Sequence, residues 1–205
     1  MELWIPSQTL DIYNIHMSPF QTQISQKIAV AALKYIDNNV TLDNFVILTP
    51  PLEVIFHDLQ SGKLILNLAD HMQFAVKLNT LQTYLASTLY LHQQTFFGFV
   101  NPVLTAEFFK RLIFPLVYNK KLTIFMGASV RTVRVYEKGS SSQGLHRALI
   151  AGEKVRIALQ LHGISILTTP ALSILQSLSG SQIDISGANM CRIRFQQAVR
   201  AIYVI

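Results

Sequence analysis

The stretch KVRIALQLH, Lys154 to His162, decides the fold reading, because it alternates without a slip between Val155, Ile157, Leu159, Leu161 and Lys154, Arg156, Ala158, Gln160, His162. A period of two puts four branched aliphatics on one face of a pleated sheet and two cations, an amide and an imidazole on the other. The pattern predicts a half-buried strand.

Around it the second half of the chain reads mainly as strand. KLTIFMG (121–127), VRTVRVYE (130–137) and GLHRALI (144–150) precede it, with GSSSQG (139–144) as a flexible hairpin loop. The terminal CRIRFQQAVRAIYVI (191–205) places Ile193, Phe195, Val199, Ala201, Tyr203 and Ile205 on one parity and Arg192, Arg194 and Arg200 on the other. One helix interrupts these strands: Thr169 as cap, Pro170 at the first helical position, Leu172, Leu175 and Leu178 as the buried stripe, and Gly180 past the end.

The first half reads differently. Ser18–Pro19 resembles a helix start, and Phe20, Ile24, Ile28, Ala31 and Tyr35 follow at helical spacing until Asn38–Asn39, which predicts a helix over 19–37. NFVILTPP, LEVIFHDL and KLILNLA are rich in branched and aromatic residues, and QSGK between the last two marks a hairpin. Asp70 with Gln73 three residues on suggests a capping box for a long helix over 71–94, whose inner face carries Phe74, Leu78, Leu81, Leu85 and Leu89. A short helix over 103–114 follows, with Glu107 early and Lys110 and Arg111 late, as the helix dipole favours. The fold expected from these elements is α+β, a helix-rich N-terminal part packed on a mostly antiparallel C-terminal β-sheet. With 205 residues it forms a single domain, 1–205, made of an acidic helix-rich half (1–109) and a basic β-rich half (110–205).

Charge sharpens that division. Residues 1–109 hold four lysines against eight acids, net −4, whereas residues 110–205 hold thirteen Lys or Arg against three acids, net +10. Opposite potentials of this size favour an anionic partner for the second half, or head-to-tail contact between copies. Only 14% of residues are charged, below the roughly 25% of an average soluble domain, so much of the surface is neutral and suited to burial against partners. Leu78–Ala106 and Ile157–Ile183 contain no charged residue, yet amides, histidines and a proline interrupt both, and neither reads as a membrane span. Cys191 is the only cysteine and the N-terminus lacks a basic region followed by an apolar run, which points to a reducing, cytoplasmic setting, with a virion or a membrane surface as the other settings.

Seven cations form the candidate polyanion-binding set: Arg131, Arg134, Lys154, Arg156, Arg192, Arg194 and Arg200. Guanidinium groups suit phosphate because the planar fork donates two hydrogen bonds at once. The competing reading is a set of solvated surface charges in single ion pairs. Arg131 and Arg134 differ in parity, so one of them points away from any shared face.

Other constellations carry less. His57–Asp58 and Asp70–His71 match no metal-site spacing; Cys191 has no locatable base; FFGFV (96–100) lacks the flanking residues of an RNA-recognition strand, and its aromatics read as core. No catalytic motif, metal site or cofactor is expected. The leading expectation is a non-enzymatic, self-associating structural protein, of the composition small viral coat and matrix proteins have, whose basic sheet contacts RNA, other nucleic acid or an anionic membrane surface. A protein-binding effector or inhibitor without homo-oligomer is the second, and an enzyme with a site formed only in three dimensions is the third.

Overall fold

The structure, a computed structural model, describes residues 3–23, 28–126, 132–137, 144–167, 174–178 and 191–205. Eight strands come first: β1 (Leu3–Pro6), β2 (Ile15–Met17), β3 (Gln21–Gln23), β4 (Ile28–Asp37), β5 (Val40–Leu42), β6 (Phe45–Leu48), β7 (Leu52–Asp58) and β8 (Lys63–Asn67). Helices α1 (Met72–Leu91), α2 (Gln93–Phe97) and α3 (Ala106–Leu112) follow, and then β9 (Val117–Tyr118), β10 (Lys121–Phe125), β11 (Val135–Tyr136), β12 (Lys154–Leu167) and β13 (Arg194–Val204). Among the described residues these thirteen strands form one large mixed sheet. Eight of them precede α1, which overturns the helix-rich N-terminal half. The two halves are interleaved in one sheet instead of packed as layer on layer.

The stretch KVRIALQLH opens β12, and β12 is the spine of that sheet. Along one edge it pairs in turn with β7 at Lys154–Val155, β6 at Ala158–Gln160 and β4 at Gly163–Leu167; along the other it pairs with β13 from Val155 to Ser165. Between β6 and β7, where Pro50 and Pro51 have no N–H to donate to the ladder, Thr49 fills the gap. Its hydroxyl accepts from the Ile157 N–H at 2.9 Å, and its own N–H donates to the Ile157 carbonyl at 3.0 Å.

The predicted helix over 19–37 is the largest local correction. Residues 24–27 lie outside the described residues, but β3 and β4 stand on either side of them as antiparallel strands. In β4 the side chains of Ala29, Ala31, Leu33 and Tyr35 are buried and their neighbours are not, a period of two. Alanine-rich IAVAALKYID fits either period, and pairing with Gly163–Leu167 of β12 decides it. The close approach requires glycine: a Cβ on Gly163 would stand 2.4 Å from the Ala31 carbonyl oxygen. Ser18 caps no helix. Its hydroxyl accepts from the Ala32 N–H at 3.0 Å and its N–H donates to the Ala32 carbonyl at 2.9 Å, joining β4 to the β2–β3 connection.

The helices agree better with the sequence. Phe74, Leu78, Leu81, Leu85 and Leu89 of α1 are all buried, in one core with Val155, Ile157, Leu159 and Leu161 of β12. Each such leucine contributes about 1.5–3 kcal/mol by leaving water. Asp70 is not the cap, however: His71 occupies that position without a side-chain cap bond, so the capping box does not form. The third helix is shorter than 103–114, since the Thr105 hydroxyl accepts from the Phe108 N–H at 3.1 Å and starts it at Ala106. The Gln82 amide of α1 donates to the Lys110 and Ile113 carbonyls at 3.0 and 3.1 Å and closes its other end.

Of the interrupting helix only residues 174–178 are described, and 174–177 are helical; Thr169, Pro170, Leu172 and Gly180 lie outside the described residues. The buried Asn101 amide donates to the Leu175 and Leu178 carbonyls at 2.9 and 3.0 Å, satisfying carbonyls that the helix end leaves open. Among the described residues of VRTVRVYE only the two of β11 are strand, paired parallel with β13; GLHRALI makes one bridge, between Leu145 and Val135, and the predicted loop GSSSQG lies outside the described residues up to its last glycine, Gly144. The aromatics of FFGF are core as expected: the Phe97 ring stacks on Phe109 at 5.5 Å and on Phe99 at 5.9 Å. Among the described residues no helix is long and apolar enough to cross a membrane.

Candidate functional site

Two irregularities in the β12–β13 ladder determine which side chains share the face turned away from the helices. Ala158 pairs with Ala201 and Leu159 with Val199, so Arg200 is an extra residue bulged out of β13; Leu161 pairs with Gln197 and Gly163 with Gln196, so His162 is bulged out of β12. The first bulge shifts the phase of β13 by one residue. Ile193, Phe195 and Val199 point to the core as their parity predicts, but beyond Arg200 it is Ile202, paired with Ile157, that is buried in the main core. Ala201 and Tyr203 turn outward, opposite Ala158 and Arg156.

The outward face therefore has an apolar centre of its own. Val46, Ala158 and Ala201 are covered, with Tyr136 and Tyr203 packed on them, and among the described residues no helix residue joins that cluster. The Tyr203 ring stacks on Tyr136 at 5.3 Å with planes 21° apart, and Trp4 meets it edge-on at 6.1 Å. Trp4 belongs here because it pairs with Val46 across β1 and β6, and it remains 37% exposed. Burial, and then the neighbouring Tyr136, push the Tyr203 hydroxyl above its ordinary pKa.

Beside this centre lies a polar bridge. Gln160, only 1% exposed, accepts from Arg200 Nε at 2.6 Å and donates to Asn44 Oδ1 at 3.1 Å, so both ends of its amide are used. The bulge that turns Tyr203 outward thus also points Arg200 along the face. The polar side of KVRIALQLH is consequently no open cationic strip: Lys154 is exposed and Arg156 half-buried, whereas Ala158 and Gln160 are sealed.

Register places most of the seven predicted cations together. Lys154 and Arg156 of β12, Arg194 and Arg200 of β13, and Arg134 beside Tyr136 share the outward face. Arg194 stands opposite Ser165 and the Ile205 N–H opposite the Lys154 carbonyl, so at about 3.3 Å per residue the cations span roughly 35 Å of strand. Gly144 lies over Arg134 and Tyr136: a Cβ there would be 2.7 Å from the Arg134 Cβ and 3.1 Å from the Tyr136 ring. Arg192 is set apart. Its neighbour Ile193 bridges to Ile113 just past α3, and its guanidinium lies over the Phe114 ring at 5.8 Å. Arg131 lies outside the described residues.

One arginine outside the predicted set serves the fold. Arg147 is held by Glu137 and Glu153, each at 2.8 Å from its Nη2, and Glu153 also accepts from the Ile150 N–H at 2.7 Å. The Arg147 hydrogen bonds keep the Glu153 carboxyl below its usual range. These are the two described acids of the basic half, and Arg147 occupies both.

The remaining candidates resolve into structure. Asp58 accepts from the Ser61 hydroxyl and from the N–H groups of Ser61 and Gln60, which lowers its pKa and closes the QSGK hairpin. His57 Nδ1 accepts from the Leu149 N–H at 2.8 Å, and burial lowers its pKa. Asp70 and His71 line a cleft of about 410 Å³ with Ser7, Gln8 and Lys77, but the Lys77 ammonium is committed to the Ser7, Gln8 and Leu10 carbonyls at 2.8–2.9 Å. Cys191 is 1% exposed and burial raises its pKa, opposite to what a nucleophile beside Arg192 needs. Among the described residues no group of three or more His, Cys, Asp or Glu is placed to hold a metal ion.

What the sequence reading missed is the aromatic row, because Trp4, Tyr136 and Tyr203 are far apart in sequence and only pairing unites them. No protein-family model, curated protein or solved structure matches the chain.

Proposed function

We propose that this protein is a non-enzymatic, self-associating structural protein that holds nucleic acid by its phosphates along the outward face of β12 and β13. The observation that carries this reading is the register that lines up Lys154, Arg156, Arg200 and Arg194, with Arg134 beside them, on one face. Of the acids nearby, Glu137 and Glu153 hold Arg147, and Glu53 of β7 stands opposite Lys154 at one end of the row. Phosphate contact of this kind is electrostatic and releases counterions, so it has a distinctive salt dependence.

The test is binding of a labelled oligonucleotide over a salt series, with anionic vesicles in parallel. The affinity is expected to fall linearly with log salt, and removing one phosphate-contacting cation to reduce the slope by about one. A protein that ignores nucleic acid at low salt overturns the reading, and one that takes only vesicles transfers the face to a membrane surface.

Self-association is supported by the outward side of α1. Val76, Asn79, Thr83, Tyr90 and Leu91 are exposed there, and the helix's one charged residue, Lys77, is spent on the three carbonyls. A solvent-facing helix normally carries charges on that side. A second copy of the chain is the fitting occupant, since a neutral surface lets chains of net charge +6 meet with little repulsion. Sedimentation at increasing concentration tests this: an oligomer is expected, dissociated by Val76→Lys with Thr83→Lys. A monomer at all concentrations overturns it.

A further inference from the structure

We infer that the nucleic acid held on this face is single-stranded, with an unpaired base stacking on Trp4 as a continuation of the Trp4–Tyr203–Tyr136 series. This rests on the reading of the outward face as a phosphate-binding surface and names the kind of polymer it takes.

The three rings come from three different strands of one sheet. In strand order Trp4 (β1) is separated from Tyr203 (β13) by β6 and β12, about 14 Å at 4.7–4.9 Å per strand, yet their ring centroids are 6.1 Å apart. Small residues on the intervening strands make this possible. Val46 and Ala158 leave a shallow trough, and the long side chains on either side of it come together above it. The rings are backed by a packed surface, so their positions are set before any ligand arrives. Tyr203 and Tyr136 are partly covered by each other, whereas Trp4 ends the row and keeps 37% of its surface exposed.

Cations flank the row closely. Arg156 is the cross-strand partner of Tyr203, Arg134 precedes the neighbour of Tyr136, and Arg200 follows Val199 beside Ala201 with its Nε on Gln160. An aromatic platform amid cations that track a backbone is the arrangement that binds unpaired strands, because every base has a π-face and every linkage a phosphate. A duplex offers phosphates and base edges in its grooves but hides its base faces in the stack. A lipid headgroup offers a phosphate and no planar ring to match Trp4.

Trp4 is the only tryptophan, so its fluorescence reports on this position alone. The full chain is titrated with a single-stranded oligothymidine, a duplex of equal length, heparin and phosphatidylserine vesicles. The expected result is strong quenching by the oligothymidine and little by heparin, although heparin binds. Trp4→Leu is expected to lose roughly ten-fold in oligothymidine affinity while heparin affinity holds, and Trp4→Phe to keep most of it. Equal affinity of wild type and Trp4→Leu for oligothymidine, tighter binding of the duplex, or quenching by vesicles alone overturns the inference and leaves the phosphate reading to its own test. Failure to bind either heparin or oligothymidine at low salt overturns that reading too. Circular dichroism on both variants separates a lost platform from a lost fold, and if Trp4→Leu fails to fold, Trp4→Phe and the wild-type quenching decide.

Discussion

The two faces of β12 are built from the same fourteen residues and obey different rules. Inward, Val155, Ile157, Leu159 and Leu161 join one core with the leucines of α1. Outward, Lys154 and Arg156 stay in reach of water, Ala158 packs with side chains of β6, β11 and β13, Gln160 is held by Asn44 and Arg200, and the cations lie around that seal. The inner face tolerates only volume-matched hydrophobic replacements, because its energy is burial. The outer face exists because of a bulge, so its chemistry depends on register, and its exposed charges can leave it at little cost to the fold, except Arg200, which satisfies the buried Gln160.

The sharpest way to break this contrast is on the inner face. Leu159→Ala is expected to cost about 2–5 kcal/mol, the usual range for a fully buried leucine, read as a lower urea midpoint. Oligonucleotide affinity of the folded fraction should be unchanged; a loss would mean the two faces are coupled. Next comes the junction with β4. Gly163→Ala puts a Cβ 2.4 Å from the Ala31 carbonyl and should destabilise by about 1–3 kcal/mol, measured the same way. If it is neutral, the close approach of β4 is not what holds the Gly163 backbone.

A smaller effect tests a polar contact at the margin of the sheet. Burial lowers the His57 pKa, its neighbour His146 adds to this, and Asp58 opposes it. The folded state thus disfavours the proton: the contribution of neutral His57 is complete above the unfolded value of 6.5 and is lost as pH falls below it. Wild-type stability should therefore drop between pH 7.5 and 5.5. His57→Gln, which keeps an acceptor for the Leu149 N–H, should flatten that dependence. An unchanged slope would assign it to other groups.

The least effect on stability is expected on the outer face itself. Arg156→Ala with Arg194→Ala should change the stability read from urea unfolding by no more than about 0.5 kcal/mol, as exposed or half-exposed charges do, while reducing the salt slope of oligonucleotide binding by about two. Destabilisation well beyond that would make these arginines part of the fold and remove them from the binding set.

Much of the fold could be read directly. The β7–β8 hairpin, the leucine stripe of α1, the charge order of α3 and β12 itself all appear as local periodicities, because each is shaped by neighbours within a few residues. The strand β4 could not. Ala29, Ala31 and Ala32 carry too little side chain to distinguish a period of two from one of 3.6, and the deciding contact is with Gly163, more than 130 residues away. The same distance explains the candidate site: Lys154, Arg156, Arg194 and Arg200 were legible as cations on strands, and the aromatic row between them was not.

By itself, the sequence of this protein determined which residues are apolar, where they alternate, and that positive charge gathers in the second half. Those are properties of single segments. The tertiary structure alone decided that acidic and basic halves share one sheet, that Arg200 bulges, and that Tyr203 turns out to meet Trp4. The reason is that side-chain direction in a strand depends on its register with its partner, and one extra residue in the ladder reverses every side chain beyond it.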